Sequence, residues 1–240
     1  MTTEHRPHGN GPSPNTETGP RPIRSYVIRS GRLTSSQRKA IDNYWQDYVI
    51  EYQTSPLALN ALFHNKADTV LEIGFGMGDS LLEMAINTPS VNFLGVEVHK
   101  PGIGKLLHGI AEAGLDNLKV INHDAKEVLL NCFEDESLWK IQIFFPDPWH
   151  KKRHNKRRLI QDEFVQLLAS KLKVSGELHL ATDWEPYAEH MLEKLDTCEM
   201  LVNSAGPACY SASGDRPVTR FENRGKKLGH KVRDLRYVKS

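Results

Sequence analysis

Between Thr69 and Ala181 the chain alternates between short apolar runs and segments with helical spacing. The apolar runs lie at Thr69–Ile73, Val91–Val98, Leu118–Asn122, Ile141–Phe145 and Glu177–Ala181. Helical patterns lie at Ser80–Ile86, Gly104–Ala113, Ala125–Leu130, Leu159–Leu172 and Glu185–Leu195. The run Val91–Val98 has apolar residues at both odd and even positions, which is typical of a strand covered on both faces. Strand–helix alternation with short connections predicts an α/β fold with a doubly wound parallel sheet.

The beginning of the chain has a different pattern. Residues 1–22 contain five prolines and three glycines and only one large apolar residue, Met1, so they bury too little surface to offset their ordering entropy. We therefore predict a disordered tail over residues 1–25 and a single domain over residues 26–240. A capping-box pattern at residues 34–37 and an aromatic stripe that follows it predict a helix that packs on this domain.

Every predicted strand ends at or close to an acidic residue. These acids are Glu72, Glu97, Asp124, Asp147 and Asp183. Because the carboxyl ends of parallel strands lie at one edge of the sheet, where such folds bind ligands, we interpret the five acids as parts of one site.

The glycine loop after the first run favours a cofactor without phosphate. It has the sequence VLEIGFGMG (70–78), and where a dinucleotide fingerprint requires its third glycine the sequence has Asp79. An acid at a helix N-terminus repels a pyrophosphate. Glu72 is equally unsuited to phosphate, but it suits an ammonium group.

Three further features of this edge match a nucleoside that carries an amino acid. Glu97 is placed to accept hydrogen bonds from two ribose hydroxyls, and Asp124 from an adenine amino group. Gly74 and Gly76 allow the backbone to approach a ligand closely. The expected cofactor is S-adenosylmethionine.

The formal net charge of +1 conceals an uneven charge distribution. Residues 150–158 hold six Lys and Arg with no acid, and residues 219–239 hold eight more against Glu222 and Asp234. The remainder of the chain is correspondingly acidic. Two concentrated basic segments predict a polyanionic partner.

Other patterns bound the class of protein. No run of about 18 apolar residues is present, and the N-terminus has no apolar signal segment, so we predict no membrane span and a cytoplasmic location. His150 and His154 are spaced like metal ligands, but their Lys and Arg neighbours would repel a cation, so we predict no metal site.

The fourth strand end carries an acid between two prolines and then the basic run, FFPDPWHKKRHNKRR (144–158). The prolines fix φ and remove amide donors, so Asp147 is expected on a stiff turn. Together with VLEIGFGMG (70–78), ATDW (181–184) and TRFENRGKKLGHKVRDLRY (219–237), this segment resembles the bacterial tRNA (guanine-N7-)-methyltransferases. The resemblance extends from about Tyr26 to Tyr237.

The resemblance implies a class I methyltransferase fold, which is Rossmann-like and has a seven-stranded sheet with an antiparallel last strand. It also implies a hairpin near Glu199–Asn203 and Lys231–Tyr237, and a guanine in the tRNA variable loop as substrate. Asp147 matches the catalytic position, and the cofactor positions match Glu72, Glu97, Asp124 and Asp147. The substrate positions match Lys151, Asp183, Thr219, Arg220, Phe221 and Glu222. The RNA-contacting stretch matches Arg153, His154, Asn155, Lys156, Arg157 and Arg158.

Three other functions stay open at this point. One is methylation of another nucleobase or protein nitrogen. Another is an NAD-dependent oxidoreductase, against which Asp79 argues. The third is a non-catalytic RNA-binding module, against which the intact set of acids argues.

Overall fold

An eight-stranded sheet forms the centre of this computed structural model, which describes residues 25–26, 31–212, 214, 216–219, 222, 229 and 231–240. The strands are β1 (Val49–Ile50), β2 (Thr69–Ile73), β3 (Asn92–Val96), β4 (Leu118–Ile121), β5 (Leu138–Phe144), β6 (Leu172–Thr182), β7 (Leu201–Asn203) and β8 (Arg233–Lys239). Their order in the sheet is β1-β4-β3-β2-β5-β6-β8-β7. All neighbouring pairs are parallel except those of β8, which is antiparallel to β6 and β7.

Helices cover the sheet and connect its parallel strands. They are α1 (Ser35–Tyr48), α2 (Leu59–Leu62), α3 (Asp79–Asn87), α4 (Lys100–Ala113), α5 (Ala125–Cys132), α6 (Asp162–Lys171) and α7 (Glu185–Asp196), with a 3₁₀-helix at Lys152–Arg157. The capping box predicted for α1 is present, since Thr34 and Gln37 exchange side-chain and backbone hydrogen bonds. The helix α4 ends at Gly114, whose φ of 62° closes its last turn.

The hydrophobic core lies on both faces of the sheet because its strands alternate. On β2, Leu71 and Ile73 belong to one buried cluster with α5, α6 and α7, whereas Val70 belongs to a second cluster with α3 and α4. Residues from the aromatic stripe of α1 pack against the second cluster. This two-sided burial explains why the strand sequences are apolar at consecutive positions.

The predicted α/β class, the doubly wound sheet and the antiparallel last strand are confirmed. The expected count of seven strands is wrong, since the sheet has eight among the residues that the structure describes. The additional strand is the short β1, which pairs with β4 directly after α1. The helix expected at Leu159–Leu172 begins only at Asp162, and Leu172 already belongs to β6. The prediction for the tail, residues 1–25, lies outside the described residues except at Ser25. Among the described helices, none has the length and apolar character needed to span a membrane.

Candidate active site

A cavity of about 400 Å³ opens at the carboxyl ends of β2, β3 and β5. The strand order reverses at this point, since β3 and β5 lie on opposite sides of β2, and open α/β sheets bind ligands at such reversals. Its volume falls in the range of roughly 300–1,000 Å³ that is typical of small-molecule sites. Six of the predicted site residues line it: Glu72, Gly74, Gly76, Glu97, Asp147 and Thr219.

The glycine loop needs its glycines for two different reasons. Gly74 has a φ of +75°, and a Cβ there would meet no atom within 4 Å, so the requirement lies in the backbone conformation. Gly76 also has a positive φ, and its carbonyl oxygen lies only 1.7 Å from where a Cβ on Gly102 would stand. The loop therefore packs directly against the start of α4.

Glu97 fixes this loop to the end of β3. Its Oε2 accepts a hydrogen bond from the Gly76 amide at 2.8 Å, and its Oε1 accepts from the amides of Val98 and His99 at 2.7 and 3.0 Å. A carboxylate offers about four acceptor positions, of which the backbone uses three. The bidentate ribose contact expected from the sequence would therefore require one of these bonds to be shared or released.

Glu72 is a buried carboxyl in the cavity wall. It is 3% exposed, and the Gln142 side-chain amide donates to its Oε2 at 2.7 Å. Burial raises the pKa of Glu72 to about 7; the bond from Gln142 opposes this rise and the nearby charge of Glu97 adds to it. A cationic ligand group beside Glu72 would stabilise its charged form, so this wall of the cavity favours an ammonium group.

Asp147 lies on a constrained turn at the end of β5. Phe145 and Trp149 on either side have φ values of 53° and 47°, which are unfavourable for large side chains. The Trp149 indole donates to the carbonyl oxygen of Ser25 at 3.0 Å. Asp147 itself is exposed and lines the cavity, so the turn presents its carboxylate beside the glycine loop.

The other two of the five predicted acids, Asp124 and Asp183, are not among the residues that line the cavity. Asp124 caps α5 by accepting from the Lys126 amide at 2.8 Å, and its neighbours His123 and Ala125 line the cavity. Asp183 is half-buried and directly follows β6.

The substrate positions implied by the resemblance are divided between the cavity and a buried network. Thr219 lines the cavity and its hydroxyl accepts from the Glu222 amide at 3.1 Å. The Glu222 carboxylate is buried and accepts from Arg216 at 2.5 Å. Lys151 is exposed at the start of the 3₁₀-helix. Arg220 and Phe221 lie outside the described residues.

Sequence reasoning did not identify Arg216, which joins this segment to the sheet. Its guanidinium donates to both Asp234 carboxylate oxygens at 2.8 and 3.2 Å, and His179 lies 2.8 Å from Asp234 as well. Arg216 also lies over the Phe144 ring at 5.2 Å. A signal was available in the sequence, since an acid within the final strand requires a cationic partner once it is buried.

Asp79 repels a phosphate less strongly in the structure than its position in the sequence suggests. Asp79 forms an ion pair with Lys105 of α4, so part of the negative charge that would repel a phosphate is neutralised. The preference for a ligand without phosphate therefore depends chiefly on Glu72.

The basic segment forms the 3₁₀-helix and its flanks beside the Asp147 turn. Arg153, Lys156 and Arg157 are exposed, and His154 and Asn155 are half-buried. Partial desolvation, together with the charges of Arg153 and Arg157, lowers the pKa of His154. Among the described residues, no group of three or more His, Cys, Asp or Glu side chains could hold a metal ion.

Arg158 requires a correction to the sequence interpretation. It was expected to contact RNA, but it is only 5% exposed and donates to the carbonyl oxygens of Pro148 and Pro186. The sequence pattern does not predict the burial of Arg158, because Arg158 belongs to a run of cations and the others in that run are exposed.

Comparisons with known proteins identify the family and the fold. The sequence profile of a family described as "Putative methyltransferase" matches residues 66–235. A tRNA (guanine-N(7)-)-methyltransferase of Shewanella amazonensis is 53% identical over 218 residues, which are 90% of this chain and 92% of that protein. The corresponding protein of Yersinia pseudotuberculosis is 54% identical over 218 residues, again 90% of this chain and 91% of that protein. The 16S rRNA methyltransferase KamB has the same fold, with a TM-score of 0.56 at 16% identity, and the match covers 79% of this chain and 95% of that one.

The fold and the cavity at its strand ends define an enzyme of the class I methyltransferase type. The relatives at 53% and 54% identity specify which one. The chain belongs to the family of tRNA (guanine-N7-)-methyltransferases. This membership argues against the oxidoreductase and against the non-catalytic module.

Proposed function

We propose that this protein transfers the methyl group of S-adenosylmethionine to N7 of a guanine in the variable loop of tRNA. The observation that carries the proposal is that, in a chain of this family, Asp147 lines the same cavity as the glycine loop and Glu72. A methyl donor and a planar acceptor held by these two walls would meet within one cavity.

The cofactor wall fits the amino acid end of S-adenosylmethionine. Glu72 is a buried carboxyl whose raised pKa favours a cationic neighbour, and the backbone at Gly74 leaves open space beside it. Glu97 supplies a carboxylate for a ribose hydroxyl, and Asp124 lies between two residues of the cavity wall. When bound, S-adenosylmethionine supplies an electrophilic sulfonium methyl group.

Asp147 would orient the acceptor guanine. The N7 atom of guanine has an in-plane lone pair and no proton to lose, so the reaction needs no strong general base. A carboxylate can accept hydrogen bonds from guanine N1–H and the exocyclic amine, which fixes the ring and stabilises positive charge as it develops. Alignment of two reactants is worth about 7–11 kcal/mol, so positioning can supply much of the acceleration.

The exposed cations beside this turn would hold the tRNA backbone. Arg153, Lys156 and Arg157 project from the 3₁₀-helix that follows Asp147. Such contacts bind phosphates and set the orientation of the RNA rather than read its bases. We also propose that the protein acts in the cytoplasm and that residues 26–240 form its single domain.

A labelled transfer assay tests the function directly. Purified protein is incubated with tritiated S-adenosylmethionine and a tRNA whose variable-loop guanosines are normal or replaced by 7-deazaguanosine, which lacks N7. We expect label in the normal tRNA and none in the substituted tRNA. Equal labelling of both would identify a different acceptor atom and refute the proposal.

A variant assay tests the assignment of Asp147. In Asp147→Asn the side chain keeps its shape but loses its charge, so turnover should fall by about 100-fold or more, while tRNA binding by filter retention stays unchanged. Near-normal turnover would refute the role of the carboxylate.

A further inference from the structure

Arg158 is the one cation of the 150–158 segment whose side chain is buried, although its chain neighbours Lys156 and Arg157 are exposed. Its guanidinium lies over the ring of Tyr187, 4.9 Å from the ring centroid. Burial lowers the pKa of Arg158, and burial of such a group is unfavourable unless its N–H donors find acceptors. The contacts that compensate therefore indicate what this side chain does.

Two of these contacts join separate parts of the proposed active site. Arg158 Nε donates to the Pro148 carbonyl at 3.0 Å, directly after Asp147, and Nη1 donates to the Pro186 carbonyl at 3.3 Å. Pro186 stands in the first turn of α7, three residues after Asp183. A single planar group thus connects the turn after β5 with the segment after β6.

The Asp147 turn needs such an external contact. Pro146 and Pro148 have no amide hydrogen, so the turn has few donors with which to fix itself. The positive φ values of Phe145 and Trp149 are unfavourable conformations, which persist only where surrounding contacts maintain them. A donor to the Pro148 carbonyl supplies a contact of this kind.

The Arg158 segment is itself well anchored. The Ile160 amide donates to the Tyr187 hydroxyl at 3.3 Å, and His190 Nε2 bonds the Ile160 carbonyl at 2.8 Å. Both partners belong to α7. The backbone just after Arg158 is therefore held by the same helix whose first turn the guanidinium contacts. Arg158 can thus act as a fixed point for the more exposed Asp147 turn.

We propose that Arg158 is a positioning residue for methyl transfer, which clamps the Asp147 turn to the start of α7. This inference rests on the proposed function, because it assumes that Asp147 orients the acceptor. Arg158 holds the carboxylate at its place in the cavity wall and also fixes its spacing from Asp183. Arg158 does not bind RNA phosphates.

An exposed lysine of the same segment, Lys152, provides a matched control. Arg158→Ala should lower kcat by about 10- to 100-fold, because displacement of a reacting group by about 1 Å has effects of this size. Its KM for tRNA and the salt dependence of binding should stay unchanged. Lys152→Ala removes a solvent-exposed cation of the same 3₁₀-helix, so kcat should be retained. Matching kinetic profiles for the two variants would overturn the proposal.

A double-mutant cycle separates positioning from general destabilisation. If Arg158 acts through Asp147, Arg158→Ala should cause little further loss of kcat in an Asp147→Asn background. Losses that multiply would show that Arg158 affects turnover by another route. Arg158→Lys keeps the charge but not the fork, so it should fold and still lose kcat, and it replaces Arg158→Ala if that variant fails to fold.

Amide hydrogen exchange tests the clamp independently of methyl transfer. Arg158→Ala should speed amide exchange in residues 147–150 and 184–188 together, whereas Lys152→Ala at an exposed position should change neither. Unchanged exchange in Arg158→Ala refutes the clamp even if the enzyme methylates tRNA. If exchange is faster in Arg158→Ala but the wild-type protein methylates no tRNA, the clamp is supported and the proposed function is refuted. The two failures are therefore distinguishable.

Discussion

Replacement of Glu72 by glutamine should make the ligand-free protein more stable at high pH. The pKa of Glu72 is raised from 4.5 to about 7 by burial. At about 1.36 kcal/mol per pKa unit, the ionised carboxylate destabilises the fold by about 3 kcal/mol above pH 7. Glutamine has nearly the same shape and no charge, and its carbonyl oxygen can still accept from Gln142.

The sign of the pH dependence follows from the raised pKa. The folded state binds the Glu72 proton more tightly than the unfolded state does, so the penalty is complete above pH 7. It decreases as the pH falls below about 7 and vanishes only below 4.5, where wild-type Glu72 is protonated in both states. The variant should therefore exceed the wild type in Tm by roughly 6–12 °C at pH 8, and by roughly a quarter as much at pH 5.

Thermal unfolding between pH 5 and 9, with and without S-adenosylhomocysteine, measures both consequences. S-adenosylhomocysteine is what S-adenosylmethionine becomes when it loses its methyl group. It keeps the ammonium group, so its affinity should fall at least tenfold in Glu72→Gln. Affinity for the wild type should weaken as the pH drops below about 7. The exposed Glu83 of α3 offers a control, since Glu83→Gln should show no gap that depends on pH. A Glu72→Gln variant that is no more stable than wild type at pH 8, or that binds the analogue equally well, would refute the reasoning.

Three further predictions concern the loop, the buried network and the basic segment. Gly102→Ala places a Cβ 1.7 Å from the carbonyl oxygen of Gly76, so calorimetry should show a loss of S-adenosylhomocysteine binding, and unchanged binding would contradict the close packing. Arg216→Ala removes a guanidinium that binds the buried carboxylates of both Asp234 and Glu222, so chemical denaturation should show a loss of about 3–5 kcal/mol. A loss below about 1 kcal/mol would mean that the network contributes little. The double variant of Lys156 and Arg157 to alanine should reduce the slope of log affinity against log salt by about two, and a slope equal to that of the wild type would place the RNA elsewhere.

The sequence determined the sheet and the edge that binds ligands. The short, β-branched apolar run Val91–Val98 predicted a strand, because a sheet covered on both faces must bury consecutive side chains. The parallel order then places Glu72, Glu97 and Asp147 at one edge, since successive strands point the same way. Glycines at 74 and 76 were identifiable for the same reason, because the loop after the first strand of such folds requires their backbone freedom.

The tertiary structure decided which of these polar groups face the ligand and which serve the protein itself. Arg158 and Arg157 are adjacent and chemically identical, yet one is buried on Tyr187 and the other faces solvent. Gln142 is a partner of Glu72 because β5 lies beside β2 in the sheet. Arg216 is a partner of Asp234 because its segment packs against β8. Periodicity reports which side of a strand or helix a residue occupies, but the partner of a charged side chain comes from distant parts of the chain. Hydrogen bonds and ion pairs act over a few ångströms, so their assignment has to wait for the packed fold.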